Sequence, residues 1–215
     1  ARGSWDFLTA QYERLGREVS FLDYFWTWRA THGPVFRLFE ADLPPARSYH
    51  ALSTGYAGLA AALGAARHGA GMLLTEHGIY TRERDIEIAQ APDDAFFKRW
   101  WRRQYGFLAE AAYQAADRIV ALNDVNLGHQ VRAGAPGDKM VIVPNGVKVA
   151  RYAPLRQPRE WRGRPFRVAL VGRVVPIKDV KTFIRAMRRV ANQMPAAEGW
   201  IAGPEDEDPA YAEEC

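Results

Sequence analysis

Arg167-Val-Ala-Leu-Val-Gly-Arg-Val-Val-Pro-Ile-Lys-Asp179 reads as a strand, a cationic loop and a helix start. Val168 to Val171 is the apolar run of a strand, and Gly172-Arg173 ends it. Beyond Lys178, Val180, Phe183, Ile184, Met187, Val190, Ala191 and Met194 repeat with a helical period, while Lys181, Arg185, Arg188 and Arg189 lie off that stripe. In an α/β protein such a junction brings fixed positive charge and unpaired helix N–H groups to a strand's C-terminal edge, where phosphate binds well. Arg173 offers a planar donor fork and Lys178 a point charge. On spacing alone, a diphosphate clamp and a pair of solvated surface cations both stay open.

Working outward, strands and helices alternate on either side of this stretch. Upstream, strands are expected at 49–52, 71–75, 118–122 and 140–143, with helices at 56–67, 94–115 and 124–133. The 56–67 helix is built of small residues suited to close packing. The 94–115 helix carries Phe97, Trp100, Trp101, Tyr105, Leu108 and Ala112 on one side and is capped by Pro92-Asp93-Asp94. Between 80 and 87 lies a polar segment. Residues 4–26 carry one apolar stripe interrupted by Gly16, which reads as one or two helices covering a core. Downstream of the strand at 166–171 come the helix at 179–194, a strand at 199–202, an acidic loop and another helix start. The fold class is therefore α/β, with two Rossmann-like domains and the second only partly present. The expected division is 1–147, an arginine-rich linker at 148–165, and 166–215.

Composition narrows the function classes. The 215 residues carry a net charge of +4 and a pI near 9.3, with no face or tail basic enough to indicate nucleic acid. One cysteine, Cys215, allows no intrachain disulfide and fits a reducing compartment. No apolar run approaches the ~18 residues of a membrane span. Neither a dinucleotide-binding G-x-G-x-x-G nor a P-loop is present. The chain begins without methionine and stops inside an expected helix, as a fragment would.

Other polar residues are candidates for a ligand site. Glu76-His77-Gly78 follows a strand end, where His77 would hydrogen-bond a sugar hydroxyl or stabilise developing charge, or stand as an ordinary satisfied polar residue. Arg82, Glu83, Arg84, Asp85 and Glu87 put five charges into seven positions with little i,i+4 pairing, which favours a ligand-facing role for some of them, Arg82 and Glu83 included. Asp206-Glu207-Asp208 spells D-x-D but lies in an acidic run without histidine, so it reads as a solvated loop and no metal is expected. Phe96 to Arg103 mixes basic and aromatic residues. It reads more simply as a buried aromatic stripe edged by cationic stems than as a membrane-binding face.

Taken together, Gly172-Arg173…Lys178 with its helix, and Val143-Pro-Asn-Gly-Val147, resemble retaining glycosyltransferases of family four, which have the two-domain GT-B fold. More specifically, Thr75-Glu-His-Gly-Ile-Tyr-Thr-Arg-Glu-Arg-Asp-Ile-Glu87, Tyr49 to Gly58 and Gly203-Pro-Glu-Asp-Glu-Asp-Pro209 resemble the PelF-type enzymes of Pel exopolysaccharide synthesis. The resemblance implies a cytoplasmic transferase that uses a UDP-sugar to extend a polysaccharide acceptor, with no cofactor and no required metal. It implies an inner-membrane synthase complex as partner, to which the protein would be peripheral. It makes Gly172, Arg173 and Lys178 the donor-diphosphate residues and His77 the catalytic histidine. Asn145 and Gly146 become the turn at the domain hinge, and Glu76, Arg82, Glu83, Asn145 and Gly203 cleft residues.

The resemblance also implies a Gly-rich loop before Ala1 and a Glu-x7-Glu pair after Cys215, so the 215 residues by themselves are expected to be inactive. Asp179 stands where many relatives have glycine, and its carboxylate is expected to cap the following helix. The alternative to an enzyme is a non-catalytic nucleotide-sugar-binding or scaffolding module. A third reading is a peripheral membrane protein acting through residues 96–103.

Overall fold

The computed structural model describes residues 2–16, 19–93, 95–155 and 165–215. The chain divides into two compact units, Ala1–Val147 and Lys148–Cys215.

The first unit opens with two helices, α1 (Arg2–Arg14) and α2 (Phe21–Glu40). Gly16 separates them by taking φ of 71°, a left-handed conformation that an α-helix does not continue through. Ser20 then restarts the chain as α2, its hydroxyl accepting the Asp23 amide at 3.1 Å. Tyr24 joins the pair. Its buried hydroxyl donates to the Leu8 carbonyl at 3.3 Å, and its ring meets Trp100 edge-on at 5.6 Å.

Four parallel strands follow, β1 (Ser48–Ala51), β2 (Gly71–Glu76), β3 (Arg118–Ala121) and β4 (Met140–Ile142), side by side in chain order. Parallel neighbours require crossovers, and helices supply them. These are α3 (Gly55–His68), then α4 (Tyr80–Gln90) with α5 (Ala95–Ala115), then α6 (Asp124–Arg132). Small residues let α3 and α5 approach closely, since a Cβ on Gly58 would lie 2.7 Å from that of Ala112. Beneath them Met72, Leu74, Tyr113 and Ile119 form the core. Fully burying a side chain such as Leu74 or Ile119 contributes about 1.5–3 kcal/mol. Asp117 fixes the entry to β3 by accepting the Met72 amide at 2.7 Å while its own amide donates to the Met72 carbonyl at 2.9 Å.

Element bounds differ from the expected ones by a residue or two at most ends. Asp94, expected as a cap of α5, lies outside the described residues. A larger departure is α4, expected only as a polar segment. This helix has no apolar stripe to betray it; it is held by polar contacts instead. Arg84 pairs with Glu87 at 2.6 Å, and Arg102 of α5 pairs with Asp85. Residues 96–103, expected to be an aromatic stripe edged by cationic stems rather than a membrane-binding face, lie within α5. Trp101 stacks on Tyr105 at 5.7 Å, and Trp100 packs on α2 through Tyr24. Among the described residues no helix is long and apolar enough to cross a membrane.

The second unit starts with α7 (Val149–Tyr152) and a 3-10 turn at Ala153–Leu155, inside the segment expected to be an irregular linker. Residues 156–164 of that segment lie outside the described ones. Two parallel strands, β5 (Arg167–Val171) and β6 (Glu198–Ala202), are joined by α8 (Val180–Gln193), and α9 (Pro209–Glu214) follows. Helix α8 packs on the sheet through Met187, whose Cγ lies 2.8 Å from where a Cβ on Gly199 would be. At its start Val180 is fully buried.

Candidate functional site: the strand ends of the two units

In the first unit, Thr54 follows β1, Glu76 closes β2, and Asn123 follows β3. Glu76 is 1% exposed, unusual for a carboxylate unless its oxygens are satisfied. They are. Oε1 accepts from the Thr54 hydroxyl at 3.2 Å and the Tyr80 amide at 3.3 Å. Oε2 accepts from the Tyr113 hydroxyl at 2.5 Å and Gln130 Nε2 at 3.0 Å. One side chain thereby ties the β1 exit, the start of α4, α5 and α6 to the end of β2. Burial, then the Glu76 charge and the hydrogen bond to it, push the Tyr113 hydroxyl far above its ordinary pKa, so it stays a donor. The expectation that Glu76 faces a ligand is corrected here: its oxygens point inward and are occupied by protein donors.

That anchoring fixes what comes next. His77 is exposed at the strand end, and its carbonyl accepts Asn126 Nδ2 at 3.2 Å. Asn126 sits in the first turn of α6, which Asn123 caps by accepting the Asn126 amide at 2.8 Å. The His77 backbone is therefore held while its ring stands in solvent. The Glu83 side chain lies against Gly78, where any added Cβ would meet its Oε1. Arg82 reaches His129 on α6 at 2.8 Å. Gly55 takes φ of 71° with the Tyr80 ring 2.6 Å from where a Cβ would stand, so glycine is required there on both conformational and steric grounds. Asn145 and Gly146 are exposed in the stretch after β4.

In the second unit the β5 and β6 exits are laced together. The Gly172 amide donates to the Ala202 carbonyl at 3.0 Å, and the Val174 amide to the Pro204 carbonyl at 2.9 Å. Gly203 lies so close that a Cβ there would run into the Gly172 carbonyl oxygen. Gly172, Arg173 and Gly203 thus share one edge. Lys178 ends the 3-10 turn Pro176–Lys178 directly before α8 and is exposed. At that helix start the Thr182 and Phe183 amides donate to the Asp179 carbonyl, and the Lys181 amide has no acceptor among the described backbone bonds.

Two features of this edge escaped the sequence. Arg173 Nη1 contacts both oxygens of Glu207 at 2.6 Å, so the acidic loop is the partner of the cationic one. Opposite charges on loops leaving adjacent parallel strands were the available signal. Both partners are about half exposed, so the pair contributes at most about 1 kcal/mol and opens readily. Glu207→Gln should release the Arg173 guanidinium and lower unfolding stability by no more than about 1 kcal/mol in a urea titration.

The second feature corrects the expected cap. Asp179 takes φ 51° and ψ 45°, and its side chain makes no cap hydrogen bond. From the left-handed region its carboxylate does not serve the first turn, and this backbone shape is the reason glycine suits the position. Asp179→Gly should raise unfolding stability by about 0.5–1 kcal/mol in a urea titration, with the strain relieved and an acid removed from beside Lys178. Asp208, by contrast, caps α9, accepting the Tyr211 amide at 3.0 Å.

Residues 1–138 match the family described as a domain of unknown function, DUF3492. The chain belongs to that family. Over 134 residues it is 30% identical to the MMP α-(1→4)-mannosyltransferase of Mycolicibacterium hassiacum, a match covering 58% of this chain and 30% of the relative. In three dimensions it is similar to Anabaena HepE, solved in complex with UDP and glucose, with a TM-score of 0.50 and 18% identity. That likeness covers 74% of this chain and 40% of HepE. At this identity it speaks for the fold alone: α/β with Rossmann-like units, as the strand–helix order led one to expect, of the GT-B type that the resemblance implied. The DUF3492 chain spans less than half the length of both proteins it is compared with here.

Proposed function

We propose that this chain belongs to a PelF-type retaining glycosyltransferase that transfers a hexose or N-acetylhexosamine from a UDP-sugar to a growing, Pel-like exopolysaccharide. The observation that carries this reading is the β5 exit, where Arg173, Lys178 and the Lys181 amide at the start of α8 belong to one strand–helix junction. In the transfer, the bond from the sugar's anomeric carbon to the β-phosphate oxygen breaks with its electron pair going to UDP. An acceptor hydroxyl oxygen bonds the anomeric carbon, and its proton passes to the departing β-phosphate oxygen. Charge accumulates on the diphosphate, where guanidinium, ammonium and helix N–H groups stabilise it without a metal or cofactor. His77 is the group assigned to the sugar, and the rigid Glu76 anchor supports its backbone.

On this reading the first unit serves the acceptor and the second the donor. A reaction that consumes UDP-sugar belongs on the cytoplasmic side, next to a synthase complex of the inner membrane. The likenesses to a mannosyltransferase and to a protein solved with UDP and glucose support it. One observation favours the non-catalytic alternative, a nucleotide-sugar-binding or scaffolding module: Arg173 is engaged by Glu207.

Calorimetry with UDP and UDP-sugars tests the assignment. Arg173→Ala and Lys178→Ala should each weaken binding by about 1.5–3 kcal/mol, the range for hydrogen bonds to charged groups. Unchanged affinity in both variants would remove these residues from the donor site. Binding without sugar transfer by the full-length protein would favour the module.

A further inference from the structure

A cationic cavity is lined wholly by residues of the first unit, none of them assigned to the donor. It measures about 350 Å³ and is lined by Arg82 and Arg84 of α4, Arg102 of α5, and His129 and Arg132 of α6, with Asp85 its one acid. Asp85 is taken by Arg102, and Arg84 by Glu87. Arg82 and Arg132 have no acidic partner among the described residues.

Their actual partner is His129, and the arrangement does not close. Arg82 Nη1 stands 2.8 Å from His129 Nε2, and Arg132 Nη2 stands 2.9 Å from His129 Nδ1. A guanidinium only donates, and a neutral imidazole has a single lone pair. Whichever tautomer is present, one ring N–H faces an arginine N–H. Protonating the ring makes both contacts donor against donor. In addition, Arg84 Nε is buried without a partner. Acceptor-only oxygens would resolve all of this, and three donor groups suit a tetrahedral oxyanion better than a planar carboxylate.

The geometry points to a phosphoryl-binding site formed by Arg82, His129 and Arg132, taking a phosphomonoester ligand. As a subsite for a phosphorylated acceptor it rests on the glycosyltransferase reading; as a phosphoryl-binding cavity it does not.

The imidazole reports on occupancy. Desolvation, then the charges of Arg132 and Arg82, hold the His129 pKa below its ordinary value. Facing it are Arg82, Arg84 and Asp85 from α4, Arg102 and Tyr105 from α5, and Arg132 from its own helix. A bound anion offsets the like charges, so the ring's titration must move to higher pH.

The test is an NMR titration of His129 in the full 215-residue chain. It compares inorganic phosphate and glucose 6-phosphate with glucose and with sodium chloride at equal ionic strength. A saturable upward shift with both phosphates, absent with glucose and chloride, supports the site. Arg82→Gln and Arg132→Gln should each weaken it roughly ten-fold or more, with circular dichroism confirming that the variants are folded. Arg173→Ala and Lys178→Ala should leave it unchanged, which separates this site from the donor assignment. The proposal is overturned if His129 titrates alike in phosphate and chloride. It is also overturned if the response survives in the Arg82→Gln/Arg132→Gln double variant, or if glucose 6-phosphate fails to produce it.

Discussion

Glu76→Ala should cost about 3–5 kcal/mol of unfolding stability. The carboxylate is 1% exposed and accepts four hydrogen bonds, from Thr54, Tyr80, Tyr113 and Gln130. Removing it leaves a cavity and strands four donors. The Gln130 amide oxygen already lacks a partner, so local rearrangement has little slack. Glu76→Gln is a sharper probe because it keeps the shape. Each oxygen of Glu76 accepts two donors, so either orientation of the amide turns an NH2 group toward two of them. A loss of about 2–4 kcal/mol follows. Urea unfolding followed by circular dichroism measures both, and an unchanged m-value would show that the loss belongs to the folded state. If either variant unfolds at the wild-type midpoint, the anchor role is wrong. A second consequence concerns His77: with the β2 end loosened, its carbonyl should lose Asn126, and amide exchange at 77–80 should rise.

Gly203→Ala should disable the donor edge through the backbone alone. The added Cβ would occupy the place of the Gly172 carbonyl oxygen. No flexible side chain stands there to give way, so the two loops must separate. That puts at risk the Gly172–Ala202 bond at 3.0 Å and the Val174–Pro204 bond at 2.9 Å. Overpacking of this kind costs about 1–3 kcal/mol, and the lost backbone bonds add about 0.5–1.5 kcal/mol each. Because Arg173 lies between the two bonded amides, UDP affinity should fall at least as far as in Arg173→Ala. Wild-type stability together with wild-type UDP affinity in this variant would contradict the loop packing described above.

What the sequence disclosed follows from how local each feature is. The β5–α8 unit was legible because an apolar run, a Gly break and the Val180–Met187 stripe declare themselves within twenty-one residues, 167–187. The core strands were legible for the same reason. Helix α4 was not, because its order comes from Asp85 reaching Arg102 and Arg82 reaching His129 rather than from a stripe. The true work of Glu76 depends on partners 22, 37 and 54 residues away, which no spacing rule addresses. The motif reading found the right residue and missed the direction it faces. Asp179 was recognised as an oddity, but only the backbone shows that a left-handed residue is required there. Arg173 was singled out by its place in the motif, while its pairing with Glu207 needed the lateral neighbourhood of two strand ends.

The central claim, a diphosphate site at the β5–α8 junction, is tested most directly by comparing ligands that differ only in phosphate. Calorimetric titration with UDP, UMP and uridine should give affinities falling in that order, with the UDP advantage abolished in an Arg173→Ala/Lys178→Ala double variant. Equal affinity for UDP and uridine, or an advantage that persists in the double variant, would contradict it.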